Sequence, residues 1–357
     1  MSVGAAIERG ASRFTDLPRP AALGIFAMLA AMIFIGLLSP PSIAPPVPKG
    51  GATDAALYRA IADRVRHGES YEPAAVAELR ARGYALKPVL VSVRPPLLTL
   101  LHAWAPSDAA VRLLEALLGA AVIVVWTVRL KGLGPGAPWM AWTALCLFSG
   151  VGVAMAGGVA SEFHEAWAGL LVAFSLAVRT ERRFVFAVAL GLVAALVREL
   201  AFPYLVVMIL FAAIERRRAE AIAFAAALAA ALAALAWHAH IVAALVTIGD
   251  RTSGGWLSLG GPGFVFATAK FNLMVWRLGV WSAAVIVPLS LLGAGVWKDG
   301  AGARLLVLLA GYQTAFLVVG RSDNAYWGFM IAPLVAIGIA LAPKALFDLG
   351  RRALARS

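Results

Sequence analysis

Apolar stretches long enough to cross a lipid bilayer recur along most of this chain, and they constrain its fold more than any other feature. The chain has 357 residues, of which 62% are hydrophobic and only 14% charged, and its mean hydropathy is +0.85. Lipid offers the backbone no hydrogen-bond partners, so segments that contact hydrocarbon must be helices or closed barrels. The regular alternation of a barrel strand is absent from the sequence. We therefore predict an all-α polytopic membrane protein.

Charged residues lie mainly at the ends of the apolar runs. The formal net charge is +12, and cations at run ends fix orientation and contact anionic lipid headgroups. No basic stretch is interleaved with aromatic residues, so we predict membrane lipid, and no nucleic acid, as a partner. The single cysteine, Cys146, excludes a disulfide framework within the chain and a Cys-based metal site. Abundant Ala and Arg fit a GC-rich bacterial gene, which indicates a bacterial plasma (inner) membrane protein.

The positive-inside rule predicts how the chain is oriented. Basic residues before the first run, after several later runs and in the tail indicate cytoplasmic segments. The run 184–214 has basic clusters at both ends and would measure about 46 Å as one helix, against a hydrocarbon core of about 30 Å. We therefore predict a hairpin broken near Arg198 and Glu199, about ten membrane helices, and both termini in the cytoplasm.

The predicted organisation is one transmembrane domain over residues 1–357. It divides into a first span (20–39), an outer loop (40–107), further spans (108–343) and a cytoplasmic tail (344–357). The first apolar run is longer than the apolar part of a usual signal peptide. An uncleaved anchor is therefore favoured over a signal peptide cleaved near Ser42.

Two short helices are predicted in the outer loop. Thr53 is a good N-cap for a helix over 54–67 that ends at Gly68, and its apolar stripe is typical of a helix lying in the membrane interface. A second helix is predicted over 73–82, ending at Gly83. Asp54 falls in the first turn of the first helix, where an acid is favoured by the helix dipole. Taken alone, Asp54 is therefore most simply interpreted as a helix cap.

The predicted topology brings most of the unusual charges to the outer face. That face receives the first loop, the breaks 157–165 and 320–324, the hairpin tip at Arg198 and Glu199, and the loop 249–272. Ionisable residues within an apolar context are costly and are commonly functional. This convergence predicts a site on the outer face.

Several short sequences resemble the GT-C superfamily of membrane glycosyltransferases, which take sugar from a polyprenyl-phosphate carrier. The stretches 54–58 (DAALY), 67–71 (HGESY) and 94–96 (RPP) look like the first outer loop of that family. The stretch 320–328 (GRSDNAYWG), followed by Pro333, is similar to its last outer loop and final span. The resemblance covers the layout of nearly the whole chain, although each motif alone has low specificity.

The resemblance implies an inverting glycosyltransferase that moves a sugar to a glycan, lipid or protein acceptor at the outer face, with Asp54 as the general base. A carboxylate can accept the proton of the attacking hydroxyl, and arginines can stabilise the leaving phosphate. The candidate phosphate ligands are Arg94, Arg198, Arg251 and Arg321. Arg94 is alternatively an interface anchor. Sugar stacking is open to Tyr58, Trp256, Tyr326 and Trp327, for which a place in the lipid-interface belt is the simpler interpretation.

A second group of candidates is the cluster Glu162, His164 and Glu165, which we expect to contact the acceptor or sugar together with Glu199. Helix capping is the alternative for the acids, and a metal site would need a third ligand such as Asp54. Some GT-C members carry adjacent acids and a divalent metal. Here Ala55 follows Asp54, so no cofactor is assigned, and Mg²⁺ or Mn²⁺ stays open.

Arg198 and Glu199 have two interpretations, an ion pair that closes the hairpin or part of the carrier-phosphate site. For the whole chain, the rival functions are a transporter or lipid-linked sugar flippase and a non-catalytic assembly subunit. Transporters commonly place charges near the midplane and show two related halves. Here the charges gather toward one face and no repeat is visible, which favours the transferase.

Overall fold

The computed structural model describes residues 12–42, 53–134, 136–156, 160–255 and 257–355. Within these ranges the regular structure is helical, and no strand is formed. The longer helices, labelled α1 to α15 in chain order, are Arg19–Leu38, Asp54–Arg66, Tyr71–Ala81, Leu97–Trp104, Asp108–Leu130, Gly136–Ala156, His164–Val178, Phe184–Val197, Phe202–Ile214, Arg218–Leu245, Gly261–Ala269, Leu273–Leu278, Ala283–Val296, Gly300–Val318 and Gly328–Leu354. One-turn and 3₁₀ segments are Arg13–Asp16, Val89–Ser92, Lys131–Leu133, Ala160–Glu162, Glu199–Ala201, Val280–Ser282 and Ser322–Trp327.

The structure confirms an all-helical fold, and the length and composition of several helices indicate a multi-pass membrane protein. Five helical stretches in the described ranges are long and apolar enough to cross a bilayer: Arg19–Leu38, Asp108–Leu133, Arg218–Leu245, Gly300–Val318 and Ser322–Leu354. Four shorter apolar stretches are His164–Val178, Phe184–Val197, Glu199–Ile214 and Val280–Val296. The total of ten spans and the cytoplasmic placement of both termini stay predictions.

The apolar run 184–214 breaks where its charges predict. Helix α8 ends at Val197, a 3₁₀ turn covers Glu199–Ala201, and α9 begins at Phe202 with Pro203 in its first turn. Proline is tolerated there because the first N–H groups of a helix have no intrahelical partner. The Tyr312 hydroxyl donates a 2.6 Å hydrogen bond to the Leu200 carbonyl, so α14 holds the turn in place.

Two helices occupy the predicted positions in the first loop, with small shifts at their ends. Thr53 caps α2 by accepting a 3.2 Å hydrogen bond from the Ala56 N–H. Gly68 and Gly83 follow the two helices with φ of +98° and +68°, a conformation that costs glycine least. The loop also contains α4 (Leu97–Trp104), a helix that the predicted layout of the loop lacks.

The loop predicted over 249–272 is wrong in its second half, because α11 (Gly261–Ala269) lies within it. Pro262 occupies the first turn, and the helix is buried from Gly263 onward. Its Phe264 ring packs edge-on against Phe316 and Trp327, with centroid distances of 5.8 and 6.2 Å. Nine residues are too few for a span, so the apolar content of this stretch serves tertiary packing instead.

The centre of the bundle is α15, which is buried along most of its length. It does not end at Pro343, where the tail was predicted to begin, but continues as helix to Leu354. Helix α13 packs tightly against it. A Cβ atom added to Gly293 of α13 would lie 1.9 Å from the Gly338 carbonyl oxygen of α15, so this contact requires glycine.

Gly293→Ala is therefore expected to lower stability by about 1–3 kcal/mol, because the added methyl group forces two packed backbones apart. Gly24→Ala is the matched control, since an added Cβ there meets nothing within 4 Å. The measurement is thermal denaturation of the purified proteins in detergent, followed by size-exclusion chromatography. Equal melting temperatures for both variants would contradict the tight α13–α15 contact.

Candidate functional site

Arg198 forms a fully buried ionic group at the break between α8 and α9. Its Nε donates a 2.7 Å hydrogen bond to Glu165 Oε1, and its Nη1 donates to Glu199 Oε1. The Arg198 and Glu165 side chains are 1% and 2% exposed. Arg198 Nη2 and Glu199 Oε2 are buried without a hydrogen-bond partner among the described residues. Such groups are costly to bury, so a donor and an acceptor stay available to a ligand.

Arg94 enters the same region from the first loop. Its Nη2 donates a 2.7 Å hydrogen bond to the Tyr326 hydroxyl, and it also interacts with the Tyr58 hydroxyl. The Tyr71 hydroxyl donates to the Arg94 carbonyl at 2.8 Å, which fixes the backbone just before α4 begins. Arg94 is close enough to Glu165 and Glu199 to interact electrostatically with both carboxylates. The two arginines therefore share one pair of acids.

His164 lies between these groups at the start of α7. Its ring meets the Tyr58 ring edge-on with a centroid distance of 5.2 Å. Both ring nitrogens are buried, and the Pro95 backbone is the neighbouring hydrogen-bond partner. We call the set Arg94, Arg198, Glu165, Glu199, His164, Tyr58 and Tyr326 the arginine cluster. It joins four separate parts of the chain that the sequence predicts on the outer face.

Asp54 lies at the edge of the arginine cluster as the first residue of α2. Its Oδ1 accepts a 2.6 Å hydrogen bond from the Tyr84 hydroxyl. Burial raises the pKa of Tyr84, and the Asp54 carboxylate raises it further, so the phenol stays a donor. Tyr58 follows Asp54 by one helical turn and so lies on the same face of α2. The sequence holds no signal that identifies Tyr84 as the partner of Asp54.

Glu162 lies beside the arginine cluster and not within it. Its side chain is 4% exposed and forms a 3.4 Å ion pair with Arg59 of α2. Its Oε2 has no hydrogen-bond partner among the described residues. Burial raises the pKa of Glu162 to about 7, although Arg59 acts in the opposite direction. A small cavity next to it is lined by Tyr58, Arg59, Leu98, Thr99, His102, Glu162 and His164.

Glu115 and His102 were not identified from the sequence as part of this region. Glu115 of α5 is 2% exposed and lies close enough to Glu162 for the two carboxylates to interact. Its place within an apolar run is a signal that could have identified it. His102 Nε2 lies 2.9 Å from the Ser161 carbonyl oxygen, and neither the spacing nor the neighbours of His102 in the sequence indicate this contact.

The other two predicted phosphate ligands contact loops outside the arginine cluster. Arg251 Nη1 donates a 2.7 Å hydrogen bond to the Gly83 carbonyl. Arg321 pairs with Asp323 at 2.7 Å and donates to Ser253 Oγ at 2.7 Å.

The predicted sugar-stacking tryptophans do not join the arginine cluster either. Trp327 is 2% exposed and packs against Phe264 and Phe316, so its ring has no free face for a sugar. Trp256 lies outside the described residues.

The predicted acids do not converge on a metal. Among the described residues, no group of three or more His, Cys, Asp or Glu side chains is arranged to hold one. Asp54 bonds to Tyr84, Glu165 to Arg198, and Glu162 to Arg59, so the three carboxylates are directed to three different partners.

No protein-family model, curated protein or solved structure matches this chain.

Removing one acid of the arginine cluster is expected to destabilise the protein strongly. Glu165→Gln leaves the buried Arg198 with one carboxylate instead of two, and breaking a buried pair costs about 3 kcal/mol or more. Asp63→Asn breaks an exposed pair with Arg66 and is expected to cost less than about 1 kcal/mol. Melting temperatures of both variants in detergent measure the difference. A loss in Glu165→Gln no larger than in Asp63→Asn would show that the pair contributes little.

The raised pKa of Glu162 predicts a specific pH dependence of stability. Because folded Glu162 holds its proton more tightly than the unfolded side chain, the folded state loses stability as pH rises from 4.5 to about 7. Glu162→Gln removes this contribution, which is on the order of 3 kcal/mol. Unfolding measured across this range should show a shallower decline for the variant than for the wild type. Parallel curves of stability against pH for the variant and the wild type would contradict the raised pKa of Glu162. Asp63→Asn serves as a control that keeps Glu162.

Proposed function

We propose that the protein is an inverting glycosyltransferase that moves a sugar from a polyprenyl-phosphate carrier to an acceptor at the outer face of a bacterial plasma membrane. The observation that carries the proposal is the position of the arginine cluster, which places two guanidinium groups in a buried region beside the helix that Asp54 begins. The resemblance of residues 54–58 and 94–96 to the GT-C first loop supports it.

In this proposal Arg94 and Arg198 bind the carrier phosphate. Charge-assisted hydrogen bonds to a phosphate strengthen in a site that excludes water, so they stabilise the negative charge that develops as the phosphate leaves. Arg198 Nη2 is the donor that has no partner among the described residues. Glu165 and Glu199 compensate the two positive charges before the donor binds. Arg251 and Arg321 have no part in this step, because their side chains hold loops.

Asp54 is the proposed general base. The acceptor oxygen attacks the anomeric carbon, the bond from that carbon to the phosphate oxygen breaks with its electron pair, and the hydroxyl proton passes to the Asp54 carboxylate. Tyr84 holds Asp54 Oδ1, and Oδ2 is the oxygen proposed to take the proton. Proton transfer of this kind contributes about 10²- to 10⁴-fold to a rate.

The acceptor and sugar are proposed to contact Tyr58, Glu162 and His164. Side chains of this kind supply both donors and acceptors to sugar hydroxyl groups. Glu165, Glu199 and Tyr326 act through the arginines, since each of them is bonded to Arg94 or Arg198. Trp327 belongs to the packed interior and is not proposed to touch substrate.

Asp54→Asn is expected to lower the rate of sugar transfer by about 10²- to 10⁴-fold, because the amide cannot accept the proton. It keeps the shape of the side chain and an oxygen for the Tyr84 hydrogen bond. The assay is transfer from polyprenyl-phosphate sugar in membranes, with protein amounts matched. Asp63→Asn is the control on the same helix, since Asp63 is exposed and pairs only with Arg66 among the described residues.

Unchanged transfer by Asp54→Asn would remove Asp54 from the mechanism. If the wild-type protein forms no product but moves lipid-linked sugar across sealed vesicles, the transporter or flippase is the better assignment. If the protein shows neither activity, and deleting its gene causes a complex that contains another glycosyltransferase to fall apart, the assembly subunit is the better assignment.

A further inference from the structure

Among the described residues, Lys270 lacks the acid partner that the fold places beside Arg179, Arg198 and Arg304. It lies in the turn between α11 and α12 and is partly buried. Its Nζ lies 5.3 Å from the centroid of the Phe271 ring. None of the ion pairs found among the described residues includes it, and only burial acts on its pKa, which it lowers. Lys270 is therefore a partly buried ammonium group that has no ion-pair partner within the described chain.

The buried arginines show what balanced cations look like in the same fold. Arg198 pairs with Glu165 at 2.7 Å, Arg179 with Glu220 at 2.8 Å, and Arg304 with Glu215 at 2.8 Å. Removing a cation from water costs free energy that an anion can offset. The fold supplies such an anion at each of these three sites. It supplies none to Lys270 within the described residues, although the ring of Phe271 offers a weaker cation–π contact.

A second unpartnered donor lies two residues further along the chain. Asn272 is 2% exposed. Its Oδ1 accepts a 2.9 Å hydrogen bond from the Met274 N–H and so caps α12. Its Nδ2 is buried and has no hydrogen-bond partner among the described residues. The cap fixes which way the amide is turned, so the free end of Asn272 is a donor.

This pair of donors is separated from the arginine cluster by aromatic side chains. The Phe271 ring packs on Phe329 with a centroid distance of 4.3 Å, and Phe329 packs on Phe163 at 5.8 Å. Phe163 in turn contacts Tyr326 of the arginine cluster at 5.6 Å. A ligand held by Lys270 and Asn272 would therefore be distinct from one held by Arg94 and Arg198.

We propose that Lys270 and Asn272 form a second anion site, which binds a phosphate group. An ammonium and an amide N–H₂ are donors only, so they select an oxyanion and reject a cation or another donor. The phosphate could belong to a membrane lipid headgroup or be free in solution, and the chemistry of recognition is the same. This site does not depend on the proposed transferase activity.

The test measures how fast an amine-reactive reagent modifies Lys270, read by mass spectrometry on the full-length protein. The protein is purified in maltoside micelles in a buffer without phosphate. It is then labelled alone, with inorganic phosphate, or in mixed micelles that contain phosphatidylglycerol. Because only the neutral amine reacts, a bound phosphate that raises the pKa of Lys270 by about one unit slows labelling about tenfold. Lys298, which is exposed and pairs with Asp16 at 3.2 Å, is the internal control.

Selective protection of Lys270 by either phosphate source supports the site and identifies the source. Protection by neither, or equal protection of Lys270 and Lys298, overturns it.

Asn272→Asp is the decisive variant. It keeps an acceptor oxygen to cap α12 but replaces the free donor with a carboxylate oxygen two residues from Lys270 in the chain. The protection of Lys270 by phosphate should therefore disappear, while the retained cap keeps the protein folded. If phosphate protects Lys270 in this variant as it does in the wild type, Asn272 is not part of an anion site and the proposal fails. Lys270→Gln checks folding independently, through its melting temperature.

Discussion

The buried pairing of Arg198 with Glu165 and Glu199 determines the arrangement around it. A charged guanidinium in the interior of a membrane protein needs counter-charges, and one of them comes from the neighbouring helix α7. This requirement places the end of α8 against the start of α7. It also explains why an apolar run of 31 residues, 184–214, does not form one helix. The backbone turns where its charges can be neutralised, and the hairpin follows from that turn.

The other end of the same hairpin is held by a second ionic group. Arg179 pairs with Glu220 and Glu215, and Glu215 also binds Arg304 through both carboxylate oxygens. Arg129 has no acid partner among the described residues and instead donates to backbone carbonyls at the end of α7. Ion pairs thus fix the hairpin at both ends, while the two helices between them are apolar. The positions of these short helices are therefore set by the ion pairs at their ends.

The first loop completes the region by docking on this frame. Arg80 of α3 binds Asp250 through two 2.7 Å hydrogen bonds, and Asp250 Oδ2 also accepts from the Thr247 N–H. These contacts tie α3 to the segment after α10. Arg94 then reaches Tyr326 from the loop, 232 residues away in sequence. Asp54 and Tyr84 are brought together by the packing of α2 and the chain after α3, so the position of the proposed base depends on the fold of the whole loop.

The sequence by itself determined the class of the protein. Hydrocarbon permits only helices and closed barrels, and apolar runs of span length indicate helices. It also determined the broken run at Arg198, where two basic ends and a length of about 46 Å exclude a single span. The first two helices of the first loop could be predicted from Thr53, Gly68 and Gly83. Residues of these types begin or end helices through local backbone interactions, which do not depend on the rest of the fold.

Only the tertiary structure decided which charges meet. Arg94 and Arg198 share a buried region, while Arg251 and Arg321 bond to loops, although all four occupy similar contexts in the sequence. Glu115, Tyr84 and Lys270 became significant for the same reason. Whether a polar group is partnered depends on side chains from distant segments, and those meet only when the helices pack.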